Sequence, residues 1–97
     1  MDVPSHPDAD IEIEEAAFFY EKRSEGLGDA FIEDVERTIE RILSSPTRYR
    51  KVHGNIRQIR LKRFPFNIGY EMHEGDIYIL AAAHVRRRPF YWSQRHP

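Results

Sequence analysis

The second half of the chain holds histidine, carboxylate and phenol side chains of the types needed for acid–base chemistry on a phosphodiester. His84 stands at the end of an apolar run and shortly before Tyr91, while Glu71 and His73 share one face of the preceding strand pattern. Cleavage of RNA by its own 2′-hydroxyl needs a base near that oxygen, an acid near the leaving oxygen and cations around the phosphate. A histidine at a strand end is more often a hydrogen-bonded structural residue, so both interpretations stay open.

Seven cations accompany these residues, and six of them are arginines. The guanidinium group pairs bidentately with phosphate or carboxylate, so the set is a candidate for binding nucleic acid or an acidic protein surface. A solvated sheet face is the alternative interpretation. The set consists of Arg57, Arg60, Lys62 and Arg63 along the first predicted strand, and Arg86, Arg87 and Arg88 after the last one.

An aromatic cluster follows these arginines. Phe90, Tyr91 and Trp92 have the composition of a surface that stacks on nucleic-acid bases. A cluster of this kind also anchors a terminal segment to a hydrophobic core, and this second interpretation is favoured. We include Trp92 among the candidate binding residues.

The sequence predicts neither a cofactor nor a metal. Cysteine is absent, which excludes disulfides, thiolate metal ligands and a thiol nucleophile. The five histidines are scattered along the chain and form no spacing typical of a zinc site. Gly26-Leu27-Gly28 precedes a helical pattern but follows no strand, so a dinucleotide-binding fingerprint is not supported.

Charge is divided unequally between the two halves of the chain. Residues 1–45 contain 13 acidic and four basic residues, whereas residues 46–97 contain three acidic and 11 basic residues. Charges that are segregated along one chain tend to be segregated on its surface, so an anionic partner would meet the second half. The simpler alternative is that the acidic half and the basic half of the chain attract each other in the folded protein.

Length and composition predict one small soluble domain that spans residues 1–97. A chain of this size has room for a single hydrophobic core, and 40% hydrophobic with 32% charged residues is typical of a globular protein. The N-terminus lacks the pattern of a secretion signal, and no apolar run is long enough to span a membrane. We therefore expect a cytoplasmic protein without membrane association.

The first half has the periodicity of a helical hairpin over about residues 7–45. Pro7 suits the first turn of a helix that runs to about Arg23, with Phe18 and Phe19 widening its apolar face. A short glycine-containing connection leads to a second helix of about 17 residues, which ends at Ser44-Ser45-Pro46 because proline cannot continue the backbone ladder.

The second half changes to the period of strands. Three strands are predicted within about residues 55–85, with a hairpin turn at Glu74-Gly75 between the second and third. Pro89 argues against continuing the ladder, so residues 86–97 form a basic and aromatic tail. Helices followed by a strand meander indicate an α+β fold in which the hairpin packs on a small antiparallel sheet.

An ordered set of short motifs in this frame resembles the RelE/ParE superfamily of type II toxins, and is closer to its ParE-type branch. The resemblance covers nearly the whole chain. It rests on His6-Pro7-Asp8-Ala9, Glu14-Glu15-Ala16, Tyr20, Gly26-Leu27-Gly28, Phe31, Ser45-Pro46, Tyr49, Arg63-Phe64-Pro65-Phe66, Tyr70, Leu80-Ala81-Ala82-Ala83-His84, Arg87, Pro89 and Trp92. It implies a short additional N-terminal strand, which residues 1–6 would supply in truncated form.

The resemblance also implies a toxin that a co-encoded antitoxin wraps and neutralises in a hetero-oligomer. Some members of the superfamily poison DNA gyrase, and others cleave mRNA on the ribosome. Arg60 and Tyr91 match two positions of the RelE-like cleaving members, whereas Gln58, Asn67 and Val85 occupy positions that are basic in those members. The incomplete set favours the gyrase-binding branch.

Three functional hypotheses follow. The first is a non-enzymatic toxin that binds and inhibits DNA gyrase, with the seven cations and Trp92 as the residues that bind either gyrase or the antitoxin. The second is a metal-independent mRNA endonuclease that uses Arg60, His84 and Tyr91. The third is a decayed toxin that retains only antitoxin binding.

Overall fold

The computed structural model describes residues 3–97, which form two helices and one four-stranded antiparallel sheet. The helices are α1 (Pro7–Arg23) and α2 (Leu27–Ser44), and the strands are β1 (Lys51–His53), β2 (Ile56–Arg60), β3 (Phe66–His73) and β4 (Asp76–His84). The strands are ordered β1-β2-β3-β4 across the sheet. The predicted α+β class, helical hairpin and three-stranded meander are confirmed, and β1 is a strand that the sequence analysis did not predict.

Local chemistry accounts for the ends of the two helices. The His6 imidazole accepts a hydrogen bond from the Asp8 backbone N–H at 3.0 Å, and Pro7 occupies the first helical position, where no N–H is needed. Gly26 has φ of +86°, a conformation that glycine adopts without a steric penalty, and it turns the chain into α2. Gly28 lies inside α2, where it allows close packing against α1.

The apolar face of α1 is narrower than predicted. Ala9, Ile13 and Ala16 are buried, but Phe18 and Phe19 are 65% and 50% exposed. Their rings contact the cationic side chains one turn further along the helix, Lys22 and Arg23. Positions 18 and 19 lie away from the stripe of α1 that faces the sheet. The prediction that they widen the buried face relied on their hydrophobicity and is wrong.

The sheet is organised by tight connections between neighbouring strands. Glu74 and Gly75 both have positive φ and form the predicted two-residue turn between β3 and β4. The short strand β1 pairs with β2 across an irregular register, and its three residues are too few for their alternation to identify a strand.

Residues 4–6 extend the sheet beside β4 without forming a full strand. The Ile79 backbone accepts a hydrogen bond from the His6 N–H at 2.8 Å and donates one to the Pro4 carbonyl at 3.0 Å. Ser5 forms a single parallel bridge to Ile79. The truncated N-terminal strand implied by the resemblance is therefore reduced to one bridge, and residues 1 and 2 of that prediction lie outside the described residues.

Both faces of the sheet are covered, one by a larger hydrophobic cluster than the other. Its helix-side core contains the aromatic cluster of Tyr20, Phe31, Phe64 and Phe66 under the helical hairpin. Its outer face is covered by the tail, whose Trp92 packs with Ile56, Leu80, Ala81 and Ala83. Within residues 3–97, no helix combines the length and the apolar character needed to cross a membrane.

Candidate functional site

The antiparallel order brings the candidate site to one end of the sheet. The end of β2, the beginning of β3 and the end of β4 lie side by side, so that Arg60 pairs with Asn67 and Asn67 pairs with Ala83. Directly opposed residues in such a ladder place their side chains on the same face. The two groups of candidate cations therefore approach each other here, with Arg60 on the sheet and Arg87 and Arg88 in the tail.

Glu71 and His73 lie elsewhere, and the prediction that they share an acid–base set with His84 is wrong. His84 pairs with Phe66 at the start of β3, whereas His73 is the last residue of the same strand. Seven residues of extended chain separate the two positions by about 24 Å. The cause is the antiparallel hairpin, which places the end of β4 beside the start of β3.

A groove of about 170 Å³, which we call the outer groove, lies between the tail and the outer face of the sheet. Its floor contains the amide side chains of Gln58 and Asn67, and its rim contains Arg87, Arg88 and Phe90. Amides and guanidinium groups bind through directed hydrogen bonds, so this groove is equipped to hold a polar anionic ligand.

Phe90 is held in an unusual backbone conformation at the mouth of the outer groove. Its φ of +59° is rare for a bulky side chain. The ring lies 5.4 Å from the imidazole of His53 and 5.7 Å from the indole of Trp92, measured between ring centroids. These contacts turn the tail back over the sheet and leave Phe90 38% exposed.

A second groove of about 220 Å³, the edge groove, runs between α1 and the open edge of β4. Glu12 is its central residue. The Glu12 carboxylate accepts hydrogen bonds from the Tyr91 hydroxyl, from the Ala82 backbone N–H at 3.0 Å and from the Arg95 guanidinium at 2.9 and 3.1 Å. Arg95 also donates to the Leu80 carbonyl at 3.1 Å. The carboxylate thus joins α1, β4 and the tail.

The environment of Tyr91 makes its hydroxyl a poor general base. Burial, together with the hydrogen bond to Glu12 and the charge of that carboxylate, raises the pKa of Tyr91 well above its ordinary value. The Arg87 guanidinium lies 4.0 Å from the centre of the Tyr91 ring and acts in the opposite direction, but more weakly. The phenol is therefore neutral at physiological pH and donates its proton to Glu12.

His84 lies where the two grooves meet. It borders both grooves, its ring contacts Phe66 edge to face with centroids 5.1 Å apart, and its Nδ1 accepts a hydrogen bond from the Arg86 N–H at 3.0 Å. The remaining ring nitrogen is the one available to a ligand. Arg60 lies on β2, two strand intervals or about 10 Å from β4. Tyr91 lies beyond β4 at its outer edge, so the structure does not bring the three nuclease candidates into one compact set.

The remaining predicted binding residues are distributed over three places. Arg57 donates to the Tyr49 and Thr47 carbonyls at 2.6 and 3.2 Å, and so supports the segment between α2 and β1. Lys62 and Arg63 line a separate cavity of about 410 Å³ beside α2. Trp92 is 2% exposed and lies over Gly69, which agrees with its interpretation as an anchor rather than as a surface ligand.

Sequence analysis missed Glu12, Arg95, Gln58 and Asn67 as parts of the site. Glu12 looks like one of several carboxylates in the first turns of a helix, and its partners are up to 83 residues away in the chain. Gln58 and Asn67 were noted only as departures from a basic pattern, although both are amides on adjacent strands. Within residues 3–97, no group of three potential ligands has the geometry of a metal site.

The sequence was compared with protein-family models and with curated proteins. No protein-family model matches the sequence, and no curated protein matches it significantly.

Proposed function

We propose that the protein is the toxin of a toxin–antitoxin pair and that it acts by binding DNA gyrase rather than by cleaving RNA. The observation that supports the binding mode most strongly is the state of Tyr91, whose hydroxyl is held by Glu12 while cations surround it. The choice of gyrase rests on the resemblance of the sequence motifs to the ParE-type branch. Such a toxin acts in the cytoplasm, where its target and its antitoxin are found.

The charge of the site supports binding to an acidic surface. Among the ion pairs formed by residues 3–97, none involves Arg60, Arg86, Arg87 or Arg88, although all four side chains are exposed. Cations without carboxylate partners retain their capacity for bidentate pairing with a ligand. They also steer an anionic partner towards this end of the sheet.

An endonuclease is the second candidate function, and the position of His84 supports it. This imidazole borders both grooves, near Arg87 and the Tyr91 ring. In this alternative, His84 would transfer a proton and the arginines would neutralise the phosphate. The nuclease alternative requires the Tyr91 hydroxyl to leave Glu12 when substrate binds.

Pulse labelling of cells that express the chain alone tests the proposal. Thymidine and methionine incorporation are followed over the first minutes after induction. We expect DNA synthesis to fall before translation does. Translation that stops first would overturn the proposal in favour of the endonuclease, and normal growth would indicate a decayed toxin that retains only antitoxin binding.

Variants separate the two mechanisms in a purified system. Arg87→Ala with Arg88→Ala should weaken inhibition of gyrase supercoiling by about a hundredfold or more, since each of the two lost charge-assisted contacts contributes about 1.5–3 kcal/mol. Arg37→Ala is the matched control, because Arg37 is an exposed arginine on α2 whose ion-pair partner within residues 3–97 is Glu33. His84→Ala should leave inhibition largely intact, whereas under the nuclease alternative it abolishes toxicity.

Antitoxin binding is tested by thermal unfolding. A partner that binds only the folded state raises the melting temperature in proportion to the logarithm of its concentration. We expect the product of the adjacent open reading frame to raise the melting temperature of this small domain. An unchanged melting temperature at saturating concentration would contradict this part of the proposal.

A further inference from the structure

Besides the apolar packing of Trp92, the tail is held by polar contacts that converge on Glu12 in the edge groove, and Arg95 also lies 3.9 Å from the Asp8 carboxylate. Of the side chains in residues 86–97, Tyr91 and Arg95 make hydrogen bonds to another part of the chain, and both of them reach Glu12. The side chains of Glu12 and Arg95 are only 14% and 15% exposed. This ion pair is therefore shielded from solvent, which makes it stronger than an exposed surface pair.

The same point of attachment sets the position of the groove-lining arginine. Arg87 packs over the Tyr91 ring at 4.0 Å, and Tyr91 is fixed at its far end by the Glu12 carboxylate. Trp92, the next residue, is directed to the opposite side of β4 and covers Gly69. Tyr91 therefore links Arg87 at the groove rim to the carboxylate on α1, and it directly precedes the buried Trp92.

We propose that Glu12 is a positioning residue that latches the C-terminal tail and thereby holds Arg87 at the rim of the outer groove for binding. This inference rests on the proposed binding function, but the latch itself can be measured without a target. Glu12 touches no ligand in this scheme. It acts through Tyr91 and Arg95, and the Ala82 N–H fixes the carboxylate against the sheet edge.

The latch explains why a carboxylate lies against a sheet edge at all. A free backbone N–H on an edge strand is ordinarily satisfied by water or by another strand. Here the Ala82 N–H is bonded to a side chain whose remaining acceptor sites bind the tail. Within the described part of the chain, Glu14 and Glu15 on the same helix make no such hydrogen bonds, although Glu15 borders the same groove.

Trp92 gives a direct measurement of the latch because it is the only tryptophan in the chain. In Glu12→Gln, we expect its emission to shift to longer wavelength and its quenching by acrylamide to rise several-fold, since the tail loses its charged attachment. Far-UV circular dichroism should stay unchanged. Glu14→Gln is the matched control, which removes a carboxylate from the exposed side of α1 and should leave the emission as in the parent chain.

Arg95→Gln is the second variant and removes the latch from the tail side while leaving α1 intact. Glu12→Gln combined with Arg95→Gln should change the emission by less than the sum of the two single variants, because both variants break the Glu12–Arg95 pair. Additive changes would overturn the latch. So would an unchanged Trp92 emission in both single variants.

The functional part of the proposal is measured as the protein concentration that half-inhibits supercoiling of relaxed plasmid by purified gyrase. Both latch variants should raise this concentration by about tenfold, because only the fraction with a docked tail is competent to bind. Altered Trp92 emission with unchanged inhibition would overturn the positioning role. If Arg87→Ala with Arg88→Ala also leaves inhibition unchanged, the proposed binding function fails instead, while the emission data still report on the latch.

Discussion

The two faces of the sheet are covered in different ways. The inner face packs against two full helices through interlocking aromatic rings, such as Tyr20 and Phe64 with centroids 4.7 Å apart. The outer face is covered by a short tail with one large buried side chain, Trp92, and one polar attachment at Glu12. The inner face therefore determines whether the domain folds, whereas the outer face determines the shape of the candidate site.

This difference places stability and function in separate parts of one small molecule. Elements with few buried apolar contacts open at lower free energy than the core does. The tail is such an element, and it carries Arg87, Arg88 and Phe90. Undocking of the tail would therefore disrupt the candidate site while leaving the helix-side core folded.

The largest expected effect comes from truncating the inner aromatic cluster. Phe31→Ala should lower the free energy of unfolding by about 3–5 kcal/mol, because it leaves a cavity between α2 and the sheet. Trp92→Ala should lower the free energy of unfolding by less, at most about 3 kcal/mol, because the tail can undock while the core stays folded. Urea denaturation followed by circular dichroism measures both values. An equal loss in the two variants would show that the faces form one cooperative unit.

A smaller effect distinguishes two glycines, one in each region. A Cβ at Gly28 would lie 2.6 Å from the Ala17 carbonyl oxygen, whereas a Cβ at Gly69 would lie 3.7 Å from the nearest Trp92 atom. Gly28→Ala should therefore destabilise the hairpin by about 1–3 kcal/mol. Gly69→Ala should be neutral or stabilising by up to about 1 kcal/mol, since alanine suits a strand better than glycine. Thermal unfolding measures both, and a destabilised Gly69→Ala would show that the tail tolerates no added volume.

The smallest effect is a pH dependence confined to the outer region. Because the pKa of Tyr91 is raised in the folded protein, the stability it contributes is complete below the ordinary phenol pKa of about 10 and is lost as pH rises above it. Tyr91→Phe removes this contribution. The stability advantage of the parent chain over Tyr91→Phe should therefore shrink as the pH rises from about 10 to about 12. Burial also raises the pKa of Tyr20 and Tyr70. The parent chain and Tyr91→Phe both contain these two residues, so their contributions cancel in the comparison. A constant difference across this pH range would exclude the Tyr91 contribution.

The sequence by itself determined the elements and their class. Helical spacing from Pro7 to Arg23 and around Phe31, the proline after α2, and the Glu74-Gly75 turn are local signals, because periodicity and backbone preference act over a few neighbouring residues. The antiparallel order was also readable, and it placed Arg60 near the tail arginines.

Only the tertiary structure decided which side chains meet. The Glu12 latch joins residues up to 83 positions apart, and the separation of His73 from His84 depends on which strand ends are adjacent. Neither Trp92 as a cover for Gly69 nor β1 as a strand has a local signature, because each is stabilised by contacts with distant parts of the chain. Such contacts depend on how the whole sheet packs, and the spacing of residues along the chain does not reveal that packing.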